Sequence, residues 1–485
     1  MQWQIIAVLL LYLAAMFFIG VWGARLTTRA RGRFLEEYFL GGRGMGGFVL
    51  AMTLTTTYIS AGSFIAGPGA AYSMGLGWVL LAMTQLSVGY LVLAILGKRF
   101  AIVARKIKAV TVVDFLKERY GIKTLVLLSS LGILAFFVAA ITVQFIGGAR
   151  LFQSVTGYPY ETALFIFAGV VVLYVTVGGF RAVVFTDTVQ GVIMFAGTAL
   201  LLLAVFTYGG GVSSVMHKLA TINPELITPF GPGNFLAVPW IMSFWVLVGF
   251  GVIGLPQVAV RGMAYKDTRA MHQAMVIGTI FTGFLMLGMH LAGAVGPAVY
   301  PGIKVADTVI PELTKLTMSP WLAGVFLSAP LAAIMSTVSS QLLVLSSTIC
   351  KDLYLNYLNP RAEERMLTRL GLIITGVTGV LVLALSYHPP RLLVWLNLFA
   401  LAGLETTFLW PTLLGLYWRR ANAPGAIASI IVGTGTYIVF NTYWVRPFGT
   451  HTIILPLALS LAVFVAVSHF TPPPAAETIR RFWGR

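Results

Sequence analysis

The sequence predicts an all-α polytopic membrane protein with about thirteen transmembrane helices. Three observations carry that prediction: a composition too apolar for a soluble domain, basic residues gathered in alternate loops, and two apolar stretches interrupted in mid-membrane. Of the 485 residues, 58% are hydrophobic and 10% charged, and the mean hydropathy is +0.90. A soluble domain carries about 25% charged residues. The net charge of +17 would suit a nucleic-acid partner if it were clustered, but it lies in short loops between apolar stretches and suggests none.

Stretches long enough to span fall at about 3–24, 45–73, 76–97, 124–149, 159–178, 184–208, 238–262, 271–297, 320–349, 367–386, 392–416, 424–444 and 452–470. The first is followed, not preceded, by Arg25, Arg29, Arg31 and Arg33, so it reads as a retained helix and not a cleaved signal. With the N-terminus outside and the C-terminus inside, only Arg150, Lys218, Lys304, Lys315, Arg391 and Arg446 of the 32 Lys and Arg fall in outer segments. The other 26 face the cytoplasm, as the positive-inside rule requires. The polar segments at 98–123, 209–237 and 298–319 introduce no soluble module, and only fifteen residues follow Phe470. A single integral membrane domain over 1–485 is expected, embedded in lipid, with no obligate protein partner evident.

Span 2 contains AMTLTTTYISAGSFIAGPGAAY, with Thr53, Thr55, Thr56, Thr57, Ser60 and Ser63 among Gly62, Gly67, Pro68 and Gly69. Such a stretch is either a small-residue packing face or a helix that unwinds in mid-membrane. Unwound backbone survives there only against protein or a watery cavity, and its carbonyls can then ligate a cation. Span 7 is interrupted at Gly249, Gly251, Gly254 and Pro256, with Gln257 just beyond. It lies five spans later, so the two run in opposite directions. Paired interruptions of this kind point to an inverted-repeat transporter with its site between them.

Ionisable residues within spans are expensive and usually functional. Most acids map to loops or span ends; the main exceptions are Asp187 in span 6 and Glu405 in span 11. Asp187 either supports a cation site or caps a helix. Glu405 either lines a cavity or pairs with a neighbour. Span 9 carries the polar band Ser336, Thr337, Ser339, Ser340 and Gln341. Hydroxyl oxygens, joined by the carbonyls of an unwound partner, are hard ligands suited to a small cation. His290 reads as a hydrogen-bonded interior residue. One cysteine, Cys350, gives neither a disulfide framework nor a thiolate metal site. No P-loop, zinc spacing or nucleophile set supports an enzyme, and no cofactor is expected.

The pieces GGFRAVVFTDTVQG and GLYWRRANAPGAIASIIVG resemble two signatures of the sodium:solute symporter family, and the likeness extends over about residues 5–470. It implies the leucine-transporter-type fold: an inverted repeat of spans 2–6 and 7–11 with helices 2 and 7 broken. It implies sodium as coupling ion, bound by the carbonyls of Thr56, Ile59 and Ala333 and the hydroxyls of Ser336 and Thr337, with Asp187 beside the sodium route. Tyr58 stands where proline-carrying members have Asp, which removes any anionic helper there. The wording of EYFLGGRGMGGFVLAMT, TVQFIGGAR and WLNLFALAGLE implies a small carboxylate solute, pantothenate ahead of proline, acetate or biotin, imported across the cytoplasmic membrane. Its contacts would include Ser63, Gln85 and Gln257, with Gln144 and Trp245 as further candidates. A transporter-like solute sensor is the rival reading, against which the short tail argues.

Overall fold

The computed structural model describes residues 3–28, 43–177 and 180–484. The loop arginines Arg29, Arg31 and Arg33, the pair Gly178–Gly179 and Arg485 lie outside the described residues. The described chain is helical, with one isolated bridge between Met45 and Tyr265 as its only β pairing.

Helices lie over the apolar stretches in order. They are α1 (Trp3–Thr28), α2 (Gly47–Tyr58 with Gly62–Met74), α3 (Leu76–Lys106), α4 (Lys123–Thr156), α5 (Tyr160–Val177) and α6 (Phe180–Tyr208). Then follow α7 (Val238–Gly254 with Pro256–Met263), α8 (Thr268–Val299), α9 (Pro320–Leu358), α10 (Glu364–Leu385), α11 (Leu393–Tyr417), α12 (Ala423–Tyr443) and α13 (Ile454–Phe470). Among the described residues, seven helices are long and apolar enough to cross a membrane, nine if each bent pair counts as one, and four more are apolar over 10–17 residues. The chain is therefore a multi-pass membrane protein.

Both interrupted stretches are broken helices. α2 bends by 65° and α7 by 56°. The most deeply placed long helix is α9, with 89% of its apolar window buried; it packs against α1, α2, α4 and α6. α8 runs along both halves of α2, and α11 packs on α4, α12 and the break in α7. A helix buried on all sides shows no amphipathic stripe, which is why α9 reads as uniformly apolar apart from its hydroxyl band.

Close approach to α2 depends on absent side chains. A Cβ on Gly293 of α8 would lie 2.3 Å from the Pro68 carbonyl oxygen and 2.6 Å from its Cα. A Cβ on Gly67 would lie 2.2 Å from His290 Nε2. Gly67 and Pro68 belong to a helical turn, with Pro68 near its start, so they serve packing; the unwinding occurs earlier, at Ile59.

After α3, the short helix Val112–Tyr120 starts with a reciprocal Thr111–Asp114 capping box. Arg119, counted among the loop charges, is fully buried there and donates to the carbonyls of Gly415, Trp418 and Ala421. It answers the negative end of the α11 dipole. Lys351 pairs with Asp114, tying the end of α9 to the same helix.

Gly293→Ala tests the α8–α2 packing. Because the added methyl meets backbone, it should destabilise the protein by about 1–3 kcal/mol. Thermal unfolding in detergent would read this as a lowered midpoint; an unchanged midpoint would show that α8 can move away freely.

Candidate functional site: the break in α2 and its contacts with α9

The first half of α2 ends at Tyr58 because Ile59 leaves the helix, with φ −76° and ψ 124°. Ser60 accepts from Gly62 N through its own Oγ at 3.0 Å, capping the second half as serine does at a helix start. The carbonyls at the break turn toward α9. Ser336 Oγ lies 2.9 Å from the Thr56 oxygen and 3.1 Å from the Ala333 oxygen, and Thr337 Oγ1 lies 3.1 Å from the Ile59 oxygen. All five oxygens named from the sequence thus converge in one buried place. None carries a formal charge. Hard neutral oxygens in this arrangement can hold a small monovalent cation, each hydroxyl turning its proton away as the ion arrives.

Next to this cluster lies an ion pair. Asp187, fully buried in the interior of α6, accepts from Thr53 Oγ1 at 2.6 Å and lies 3.7 Å from Arg261 Nη2. Of the two sequence readings, helix cap and site support, the cap is excluded: Asp187 sits seven residues into α6. Arg261 also donates to the Gln257 carbonyl at 2.8 Å and to Ser340 Oγ at 2.7 Å, and Ser340 Oγ is 3.3 Å from Thr57 Oγ1. The sequence count treated Arg261 as an inner-loop charge; the structure buries it completely. Its signal was the apolar run Val258–Val260 leading straight out of the α7 break.

A small cavity of about 40 Å³ adjoins the second half of α2. Ser63 and Gln85 line it, with His290, Asn397, Trp78 and Phe244. Gln85 Oε1 accepts from the Tyr58 hydroxyl at 2.6 Å, which leaves its amide nitrogen as a donor. His290 Nδ1 lies 2.7 Å from the Met286 carbonyl. A carbonyl can only accept, so Nδ1 holds the proton and Nε2, on the Gly67 side, is an acceptor. His290 is thus both the interior hydrogen-bonded residue expected from sequence and a lining residue. Asn397 escaped the sequence reading, although a lone amide in WLNLF marked it.

The remaining candidates lie elsewhere. Gln144 is one layer back, its Oε1 accepting from Ala61 N at 2.9 Å; it positions the break. Gln257 is buried beside Arg261 with Oε1 unpartnered and is not among the lining residues of the cavity. Trp245 is 50% exposed on the outside of the bundle. Phe244, one residue earlier, faces the cavity in its place, with Val248 one turn further on. Glu405 does not line the cavity, and neither of its carboxyl oxygens has a hydrogen-bond partner among the described residues. Arg150 lines a separate, surface-open pocket, bonded to Gln153 Oε1 at 3.0 Å and lying over the Tyr160 ring at 4.7 Å.

Two broken helices packed around a buried oxygen cluster and a small cavity define a membrane protein of the transporter class. Comparison with known proteins agrees. The sequence profile of the sodium:solute symporter family matches residues 38–433. The chain is 52% identical to the sodium/pantothenate symporter of Escherichia coli K12 over 481 residues, 99% of each chain. It is 48% identical to the Haemophilus influenzae protein of the same name, over 96% of each, and 35% identical to the osmoregulated proline transporter of Bacillus subtilis, over 99% of this chain and 98% of that one. The structure of a sodium-coupled sialic acid symporter in a substrate-bound, outward-open state superposes with a TM-score of 0.80 at 18% identity, covering 97% of this chain and 98% of that one. The chain belongs to the sodium:solute symporter family, and its fold is of the leucine-transporter type.

Arg261→Met should destabilise the protein by about 3–5 kcal/mol, because it leaves Asp187 buried without its cation. Adding Asp187→Asn should recover much of that loss. Melting curves of wild type, both single variants and the double variant check it; a double variant no better than Arg261→Met would uncouple the pair.

Proposed function

We propose that the chain is a sodium-coupled symporter that imports pantothenate across the cytoplasmic membrane by alternating access. The observation that carries the coupling is the meeting of Thr56, Ile59, Ala333, Ser336 and Thr337 at the α2 break. An ion held there bridges α2, whose second half borders the cavity, and α9. A ligand shifts a conformational equilibrium only by its differential affinity for the two states. Sodium ligated from both helices favours the state in which they touch, and separation lets it go. Asp187 and Arg261 lie beside the route of the ion inward and keep it electrically neutral. The neutrality of the five ligands suits binding that must reverse in every cycle.

The solute reading rests on the two relatives named sodium/pantothenate symporter and on the chemistry of the cavity. Ser63 and the Gln85 and Asn397 amides can donate to a carboxylate, and His290 Nε2 can accept from a hydroxyl or an amide N–H. Pantothenate carries all three groups. Arg150, held by Gln153 and Tyr160 at the surface-open pocket, acts as an entrance residue and not as the carboxylate's partner. Gln257 contributes through Arg261, and Trp245 has no contact with the solute.

Proteoliposomes loaded without sodium test both parts. Labelled pantothenate should accumulate under an inward sodium gradient, and excess proline, acetate or biotin should leave uptake intact. Accumulation without sodium would end the coupling reading; competition by proline at equal concentration would move the solute assignment toward the proline-carrying relatives. In the same assay Ser336→Ala and Thr337→Ala should each raise the half-saturating sodium concentration by about tenfold, roughly 1.4 kcal/mol. Solute affinity should recover at saturating sodium. Unchanged sodium dependence in both variants would remove the ion from α9.

Thirteen crossings are supported by adding the four shorter apolar helices to the nine longer spans, and the bias of basic residues toward alternate loops supports an N-terminus outside and a C-terminus inside. In a Cys350→Ser background, a cysteine at Gly210 should react with an impermeant maleimide from outside and one at Ala476 only from inside. Both reacting from the same side would refute the orientation.

A further inference from the structure

Glu405 takes no part in the site described above. It lies in the middle of α11, fully buried, and neither carboxyl oxygen has a hydrogen-bond partner among the described residues. None of the ion pairs among those residues includes it. The carboxyl faces the break in α7. The point where a Cβ on Gly251 would sit is 2.2 Å from Glu405 Oε2 and 2.8 Å from the Val246 carbonyl oxygen. One turn further, a Cβ on Gly254 would meet the α11 backbone at Leu409 Cα, 2.9 Å away. The two glycines let the unwound turn of α7 lie directly on α11, with the carboxyl held in the seam.

The surroundings supply no counter-charge. Tyr58 from α2 and Tyr437 from α12 are the titratable groups close enough to act on Glu405. Their hydroxyls are engaged, Tyr58 with Gln85 and Val248, Tyr437 with the Phe399 carbonyl. Tyr120, from the short helix after α3, bonds the Pro411 carbonyl a turn and a half along α11. α4 has ionisable residues only at its ends, Lys123 and Arg150; α13 has His469 at its end, and the α7 break has none. A bare carboxylate in such a place is strongly disfavoured. A sodium ion needs several oxygen ligands, and among the described residues neither carboxyl oxygen of Glu405 has a hydrogen-bonded polar neighbour to join it. A proton needs one acceptor.

We propose that Glu405 is a proton-binding site, its carboxylic acid held in the seam where the α7 break lies on α11, and that the cycle exchanges this proton with water. When α7 moves off α11 and water enters the seam, the O–H bond breaks, its electron pair stays on the carboxylate, and water carries the proton away as hydronium. Closing the seam reverses the step. Only the movement rests on the transport reading; the protonated acid is a property of the resting protein.

Infrared spectroscopy of the purified protein at neutral pH tests the site without any transport. The wild type should show a carboxylic-acid carbonyl band that is missing from Glu405→Gln and unmoved when potassium is replaced by sodium. Identical spectra for the two proteins would mean that Glu405 is ionised, and a wild-type band that disappears with sodium would make it a ligand of the metal ion; either overturns the proposal. The sodium arm needs only the wild type, so it holds even if the variant folds poorly. Uptake in proteoliposomes tests the exchange. The protonated fraction falls about tenfold for each pH unit above the carboxyl's pKa, so wild-type uptake should fall steeply at alkaline pH. Glu405→Gln keeps the shape of the side chain but cannot ionise, and its profile should be flat over that range. An alkaline fall of equal steepness in both proteins overturns the exchange.

Discussion

A backbone carbonyl inside a membrane protein must be met by something, because lipid offers no donor. Where α2 breaks at Ile59, the carbonyls of Thr56 and Ile59 turn toward α9, and Ser336 and Thr337 meet them. That contact explains the hydroxyl band in an otherwise apolar helix and the depth at which α9 is buried. It also explains why α2 is buried without interruption from Leu50 to Ala71, since unwound backbone at that depth cannot face lipid. The same oxygens that satisfy one another can satisfy an ion, so the structural need and the functional one coincide at this point.

The second break has a different solution. At α7, Gly251 and Gly254 bring the unwound turn onto α11, and the Arg261 guanidinium beyond Pro256 caps the turn through the Gln257 carbonyl while pairing with Asp187. The ion pair thus reaches from α7 to α6, and through Ser340 and Thr57 to α9 and α2. Every helix that contributes to the oxygen cluster is connected to the other broken helix by a chain of buried polar contacts. A rearrangement at one break therefore cannot leave the other unaffected.

Much of this was legible in the sequence. The paired interruptions were visible because Gly, Pro and hydroxyls are conspicuous in apolar stretches, and AIMST and TTTYIS carried the five converging oxygens. What escaped is equally instructive. The glycines Gly67 and Gly69 looked like the point of unwinding but proved to be contact positions, against His290 and Asp307; composition does not distinguish the two uses. Trp245 was expected at the cavity and its neighbour Phe244 is there, because two adjacent large aromatics leave the inward face of a broken helix undecided in sequence. Arg261 was assigned to a loop since hydropathy sees a charge at a span end, whereas its burial depends on Asp187, 74 positions earlier. Asn397 and His290 line the cavity from helices whose register is set by tertiary packing alone.

The account turns on one claim: that sodium is held where α2 and α9 meet. Hydrogen exchange followed by mass spectrometry, with sodium replaced by an equal concentration of potassium, tests it most directly. Sodium should slow exchange in peptides covering Thr56–Phe64 and in those covering Ala333–Ser340, and Ser336→Ala should abolish both effects together. Protection confined to other helices, or protection at the α2 break that survives Ser336→Ala, would contradict the claim.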